Sequence, residues 1–200
     1  MSAARPVARL KVTLGDVEPP VMRRLDVPLK IRLDRLHQTL QAAMGWTDSH
    51  LYLFTAAGVS WGEPNEDWPD STLPAAKTTL LDVVEDTGVR TLHYIYDFGD
   101  NWDHTIKIER IGDAAPGTLY PVLIKAGGRC PPEDCGGPSG YARLLEILAD
   151  PDHEEHEEML EWAGGLFDPQ DPDIEAIDRE LETLARRWAP RPRKPKASRA

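Results

Sequence analysis

No stretch of this 200-residue sequence approaches the ~20 consecutive apolar residues that a membrane-spanning helix needs, so no membrane contact is expected. The N-terminus, MSAARPVARLKVTL, lacks an apolar run followed by a small-residue cleavage site, and a cytoplasmic location is the expectation. Cysteine is scarce. Cys130 and Cys135 are the only two, which suits a reducing compartment and excludes a disulfide-built scaffold. Positive charge is scarce too, and most unevenly spread. The last eleven residues, PRPRKPKASRA, hold five Lys and Arg and no acid; setting those five aside from the net −11 leaves −16 on the rest. An acidic body repels a phosphate backbone. Nucleic acid is therefore expected to be touched, if at all, only through the basic tail. That tail has almost nothing apolar to bury and is expected to be disordered. The organisation that follows is a single domain over residues 1–189 and a tail over 190–200.

What is present is enough for a core, since 40% of the chain is hydrophobic. Ala8, Leu10, Val12 and Leu14 alternate with Arg9, Lys11 and Thr13, the pattern of a half-buried strand, and Val21, Arg23, Leu25 and Val27 continue as a second. A helix is predicted over Leu33 to Met44, stopped by Gly45. Strands follow at His50 to Ala57 and Val59 to Gly62. The loop EPNEDWPDSTLPAAK is rich in proline and acid, and Thr79 and Asp82 then offer a weak capping box for a helix at Leu80 to Asp86. Arg90 to Asp97 and Trp102 to Arg110 read as a hairpin, and Leu119 to Lys125 as a further strand. Helices close the chain: one near Ser139 to Ala149, one started by Asp150-Pro151, and one near Asp173 to Trp188 started by Asp171-Pro172. Strands first and helices last give an α+β fold: an antiparallel or mixed sheet with a central hairpin, an N-terminal helix on the sheet and a C-terminal run of about three helices.

The stretch YDFGDNWDHTIKIE, Tyr96 to Glu109, crowds acids, aromatics and a histidine around that hairpin's bend. With Asp100-Asn101 as a two-residue turn, Asp97 faces His104, close enough for a hydrogen bond. His104 keeps step with Trp102, Ile106 and Ile108 and so points inward. Such a pair either pins the hairpin as a satisfied buried unit or serves as a ligand or acid–base group. Arg23 and Arg24 are candidate partners for Asp97 or Asp100.

CPPEDCGG is the second informative stretch. Two cysteines with four residues between them make half of a closed zinc site at most. Further ligands would have to come from His104, His50, Asp97 or Asp134. No cofactor is predicted, with a divalent metal left open. The loop precedes a helix, yet Glu133 and Asp134 would repel phosphate, and no Gly-Lys-Ser/Thr ending makes it a P-loop. Pro131, Pro132, Gly136 and Gly137 also read simply as a rigid crossing. HEEHEE, His153 to Glu158, has its histidines three apart rather than four and reads as a solvated face. His37 and His50 each read first as structural histidines. Of the six tryptophans, Trp46, Trp102 and Trp162 fall at core-like positions, and Trp61 and Trp68 flank the acidic loop with partial exposure expected.

YIYDFGDNWDHTIKIE resembles the signature of the Ri-plasmid ORF-three-like family, which includes insertion-element passenger proteins labelled TnpR-like. The resemblance extends to EPPVMRRLDVP (with Met22 where an aromatic is usual), to LDRLHQTLQAAMGWTDSHLYLF with His37, Gly45, Trp46, His50 and Phe54, and to the C-terminal part from Cys130 to Leu181; it covers about Val7 to Leu184. It implies an α+β domain of bacterial and plasmid origin without an established activity. The TnpR label carries no recombinase chemistry here. A serine recombinase needs a serine nucleophile amid arginines, and this N-terminus offers Ser2 alone; the tyrosines sit in acidic or apolar settings.

Two functions are consistent with these readings. One is a binding or adaptor module in plasmid or mobile-element accessory biology, with a protein or peptide partner at Tyr96, Asp97, Gly99, Asp100, Trp102, His104, Glu133 and Asp134. The other is a metal-assisted or general acid–base enzyme using Asp97, Asp100 and His104, with Cys130, Cys135 and His50 as further metal ligands.

Overall fold

The computed structural model describes residues 6–63 and 72–189. Ser2, Trp68 with most of the acidic loop, and the basic tail lie outside them.

Alternation decides the sheet. In β1 (Pro6–Leu14), Ala8, Leu10, Val12 and Leu14 are buried while Arg9, Lys11 and Thr13 are half-exposed. β2 (Met22–Pro28) pairs antiparallel with β1, placing Leu25 opposite Leu10 on the inner face and Asp26 opposite Arg9 on the outer one. There Arg9 donates to both carboxylate oxygens of Asp26 at 2.8 Å. The remaining strands are β3 (Tyr52–Ala56), β4 (Val59–Gly62), the short β5 (Leu73–Pro74), β6 (Thr91–Tyr96), β7 (Trp102–Asp113) and β8 (Val122–Gly127). They form one sheet in the order β5-β4-β3-β6-β7-β1-β2-β8. The β4–β5 pair is parallel and every other pair antiparallel, so the sheet is mixed, within the α+β class expected.

Helices cover the apolar face. α1 (Leu33–Met44) buries Leu33, Leu36, Leu40 and Ala43, the i, i+3, i+4 stripe of an amphipathic helix. Gly45 ends it in the left-handed conformation at φ 84°, with its N–H on the Gln41 carbonyl. Thr79 and Asp82 form a full capping box on α2 (Leu80–Thr87). α3 (Gly137–Ala149), α4 (His156–Trp162) and α5 (Ile174–Trp188) complete the chain. α5 lays Ile177, Leu181, Leu184 and Ala185 into the core and packs on α1 and β8.

Several expectations need correction. Asp150-Pro151 does not start α4; Asp150 follows the end of α3, its side chain accepts Asp152 N–H, and α4 begins only at His156. α5 is capped by Asp173, whose carboxylate accepts Ala176 N–H, rather than by Asp171. Trp61 is buried on the inner side of β4, and Trp162, ending a helix that buries nothing, is 46% exposed. Arg23 and Arg24 pair with neither Asp97 nor Asp100. Arg24 points outward onto Glu109 at 2.7 and 2.8 Å. Arg23 keeps step with Leu25 and Val27, and so it enters the interior, where its guanidinium donates to the carbonyls of Ala43, Met22, Gly127 and Gly128. Four carbonyl acceptors are what let a buried cation persist without an acidic partner.

Candidate functional site

The hairpin turn is longer than two residues, and this changes the register. β6 ends at Tyr96 and β7 begins at Trp102, so Tyr96 faces Trp102 and Tyr94 faces His104. The five residues between are held by Asp97. Its carbonyl accepts Asn101 N–H at 2.6 Å, and its Oδ1 accepts Gly99 N–H at 2.9 Å. Asp97 and Asn101 take positive φ of 55° and 56°, a conformation that Asp and Asn tolerate better than other side chains. The Asp97–His104 pair is therefore ruled out.

His104 does point inward and is fully buried. Its Nδ1 lies 3.1 Å from the Tyr94 carbonyl and 3.0 Å from that of Trp102. Carbonyls only accept, so Nδ1 carries the proton, and Nε2 is left bare and buried without a hydrogen-bond partner among the described residues. Burial pushes the imidazole pKa down to about 4. Trp46 covers the ring, meeting it edge-on at 5.4 Å.

Three other segments converge beside the turn. Trp46, just past the end of α1, stacks on Tyr96 at 4.9 Å and donates its indole N–H to the Pro131 carbonyl at 2.9 Å. This draws the CPPEDCGG loop against the loop that follows Gly45. Thr47 N–H donates to Glu133 Oε1 at 2.7 Å. The Tyr96 hydroxyl donates to the Glu133 carboxylate at 3.1 and 3.2 Å and accepts Ser49 N–H at 3.1 Å. Burial, reinforced by the Glu133 charge, pushes the Tyr96 phenol pKa up and keeps it a donor. On the far side, Asp100 Oδ2 accepts Gly136 N–H at 3.1 Å. Gly137, at φ 70°, lets the chain pass so close to the turn that a Cβ would lie 2.6 Å from the Asp100 carbonyl oxygen.

Into this junction points His50. Its Nε2 lies 3.1 Å from Asp134 Oδ1, 3.5 Å from Glu133 Oε2 and 3.6 Å from Asp97 Oδ2. Its ring packs edge-on against Tyr96 at 5.8 Å. The His50, Asp97 and Asp134 ligand atoms all fall within 4.8 Å of one another, a spacing that one metal ion can span. Asp97 is only 8% exposed, whereas the Asp134 side chain is 72% exposed, so the cluster has a floor and an open side.

Of the residues singled out from the sequence, Tyr96, Asp97, Glu133, Asp134 and His50 come together; Gly99 and Asp100 hold the turn in place. Trp102 and His104 lie in the core beneath. Cys130 is buried and its thiol pKa is raised by burial; that of Cys135 is pushed up to about 12, by burial first and by Asp100 and Asp134 next. Without a metal both stay protonated, and neither belongs to the His50, Asp97 and Asp134 cluster. Thr47 and Ser49 were missed: both act through backbone N–H groups, which side-chain chemistry does not mark, and the Thr47 hydroxyl adds a 3.3 Å bond to Glu133. A neighbouring ring was missed as well. His37 is bonded to Asp48 through Nε2 and to the Tyr94 hydroxyl through Nδ1 at 2.8 Å. Gln41 closes the ring, donating to that hydroxyl at 3.0 Å and accepting Asp48 N–H at 2.9 Å. The polar run TDSH after Gly45 was the available signal.

Known proteins are similar to this chain in sequence and in fold. The chain is 51% identical over 189 residues, 94% of its length and 97% of the relative's, to the uncharacterized protein y4hQ of Sinorhizobium fredii. A solved structure, that of the protein of unknown function MM3350 from Methanosarcina mazei, matches with a TM-score of 0.77 and 31% identity over 90% of this chain and 99% of that one. Residues 6–176 match the family described as plasmid pRiA4b ORF-3-like protein. A match over most of the chain, together with a relative half identical throughout, establishes that this protein belongs to the plasmid pRiA4b ORF-3-like family.

Proposed function

We propose that this protein is a binding module whose site is the junction of the 97–101 turn, the loop after α1 and the 130–137 loop, and that it takes a positively charged ligand. The observation that carries this reading is the charge balance of the junction. Asp97, Glu133 and Asp134 surround one histidine, and no Lys or Arg forms an ion pair with any of the three among the described residues. A nearly buried carboxylate such as Asp97 is costly without a compensating charge, and a ligand cation supplies it. The acid–base alternative gains no support: Asp97, Asp100 and His104 do not converge, and His104 is fully buried. The plasmid origin in the family's name supports placing the module among plasmid or mobile-element accessory functions, in the cytoplasm.

A thermal-shift panel tests the reading. Arginine amide, 1,4-diaminobutane and divalent metal ions are compared with phosphate and acetate. At least one cationic probe is expected to raise Tm to saturation, with the gain lost in Asp134→Asn and the anions inert. No stabilisation by any cation, or stabilisation that persists in Asp134→Asn, overturns the proposal.

A further inference from the structure

Resting on that reading and sharpening it, we infer that the ligand is a divalent transition-metal ion held by His50 Nε2, Asp97 and Asp134. Two observations beyond the net charge of the junction carry this. First, His50 Nε2 is buried and has no hydrogen-bond partner among the described residues, although three carboxylates surround it. An imidazolium proton would be aimed along one N–H···O line. None of the three oxygens is hydrogen-bonded to it, and two stand 3.5 and 3.6 Å away, beyond a strong charge-assisted bond. Oxygens spread about a ring nitrogen are instead arranged as co-ligands are. Two ligands at about 2.0–2.2 Å from a tetrahedral ion stand about 3.3–3.6 Å apart, and Asp134 and Asp97 lie 3.1 and 3.6 Å from His50.

Second, Asp97 is a carboxylate nine-tenths buried whose only ion-pair neighbour among the described residues is His50. Its Oδ1 is engaged by Gly99 N–H, which turns Oδ2 toward the cluster. One imidazole and two carboxylates form a borderline set suited to zinc, iron or manganese. Three protein ligands and an open side leave positions for water or a second ligand.

Glu133 is the positioning residue. Its carboxylate is already occupied by Thr47 N–H and the Tyr96 hydroxyl, and it backs His50 from 3.5 Å. Such outer partners tune metal affinity by about 10–100-fold.

The experiment is isothermal calorimetry of Zn²⁺ and Mn²⁺ into the full chain, stripped with chelator and carrying no polyhistidine tag. One equivalent of at least one ion is expected to bind, with His50→Ala and Asp134→Asn each weakening it by roughly 100-fold or more and Glu133→Gln by roughly tenfold. Asp134 is exposed, so Asp134→Asn leaves folding intact and keeps the test valid if His50→Ala is unstable. Absence of stoichiometric binding, or binding undiminished in Asp134→Asn, overturns the inference. If an organic cation still stabilises the protein in an Asp134-dependent way, the metal assignment alone falls; if no cation does, the binding site falls with it.

Discussion

The Tyr96 hydroxyl lies 3.1 and 3.2 Å from the two oxygens of Glu133, with Ser49 N–H donating to it from the other side. One phenol thus joins β6, the loop after α1 and the 130–137 loop. Tyr96→Phe leaves a carboxylate and an N–H short of a partner at no cost in volume. Because the lost bond is to a charged group, the variant is expected to lose about 1.5–3 kcal/mol. Urea unfolding measures this; an unchanged midpoint would mean that water replaces the phenol freely.

His37 and His104 are expected to hold opposite neutral tautomers. In the ring of His37, Gln41 Nε2 donates to the Tyr94 oxygen, so the Tyr94 proton is directed to His37 Nδ1 and His37 Nε2–H goes to Asp48. Burial raises the Tyr94 pKa strongly and keeps it a donor, and burial outweighs Asp48 in lowering that of His37. His104 carries its proton on Nδ1. Long-range ¹H–¹⁵N correlation at pH 7.5 should therefore show Nε2–H for His37 and Nδ1–H for His104. The same tautomer at both positions would contradict the hydrogen-bond assignments.

The acid side of the stability profile follows from His104. Its folded pKa of about 4 lies below the ordinary 6.5 expected of the unfolded chain, so between these values the unfolded state binds the extra proton. The contribution is complete above about pH 6.5, is lost as pH falls, and is gone below about pH 4; its size is on the order of 3 kcal/mol. In His104→Asn the side-chain N–H can still reach the two carbonyls but cannot titrate, so its stability should fall less steeply over this window. Parallel slopes for variant and wild type would remove His104 from the account.

Gly137→Ala tests the close approach between the turn and the 130–137 loop. The substitution pays about 1–2 kcal/mol for a left-handed alanine, and its Cβ would also meet the Asp100 carbonyl oxygen at 2.6 Å. Gly136 is also left-handed, but there a Cβ would meet its nearest neighbour only at 3.6 Å. Gly137→Ala should accordingly lower stability more than Gly136→Ala, as chemical denaturation would report. Equal losses would mean that the turn and the loop are not in register as described.

Much of the fold was legible because period and punctuation agreed. The alternation of β1, the Leu33–Met44 stripe ended by Gly45, and the Thr79–Asp82 capping box all appear where the sequence places them. The hairpin register was not legible, because Asp97 reads as the end of a strand until its side chain is seen capping Gly99 N–H; three more turn residues then move His104 from Asp97 to Tyr94. Metal-capable residues were legible as types, and His50, Asp97 and Asp134 do meet. That they meet without His104 and the cysteines depends on Trp46 bridging two loops 85 residues apart, which no local pattern records.

The most direct test is anomalous diffraction from crystals of the chelator-treated protein soaked in Zn²⁺ at near-neutral pH, with data collected on both sides of the zinc edge. The account predicts a peak about 2.0–2.2 Å from His50 Nε2 and from carboxylate oxygens of Asp97 and Asp134. Clear density for those three side chains with no zinc peak between them would contradict it.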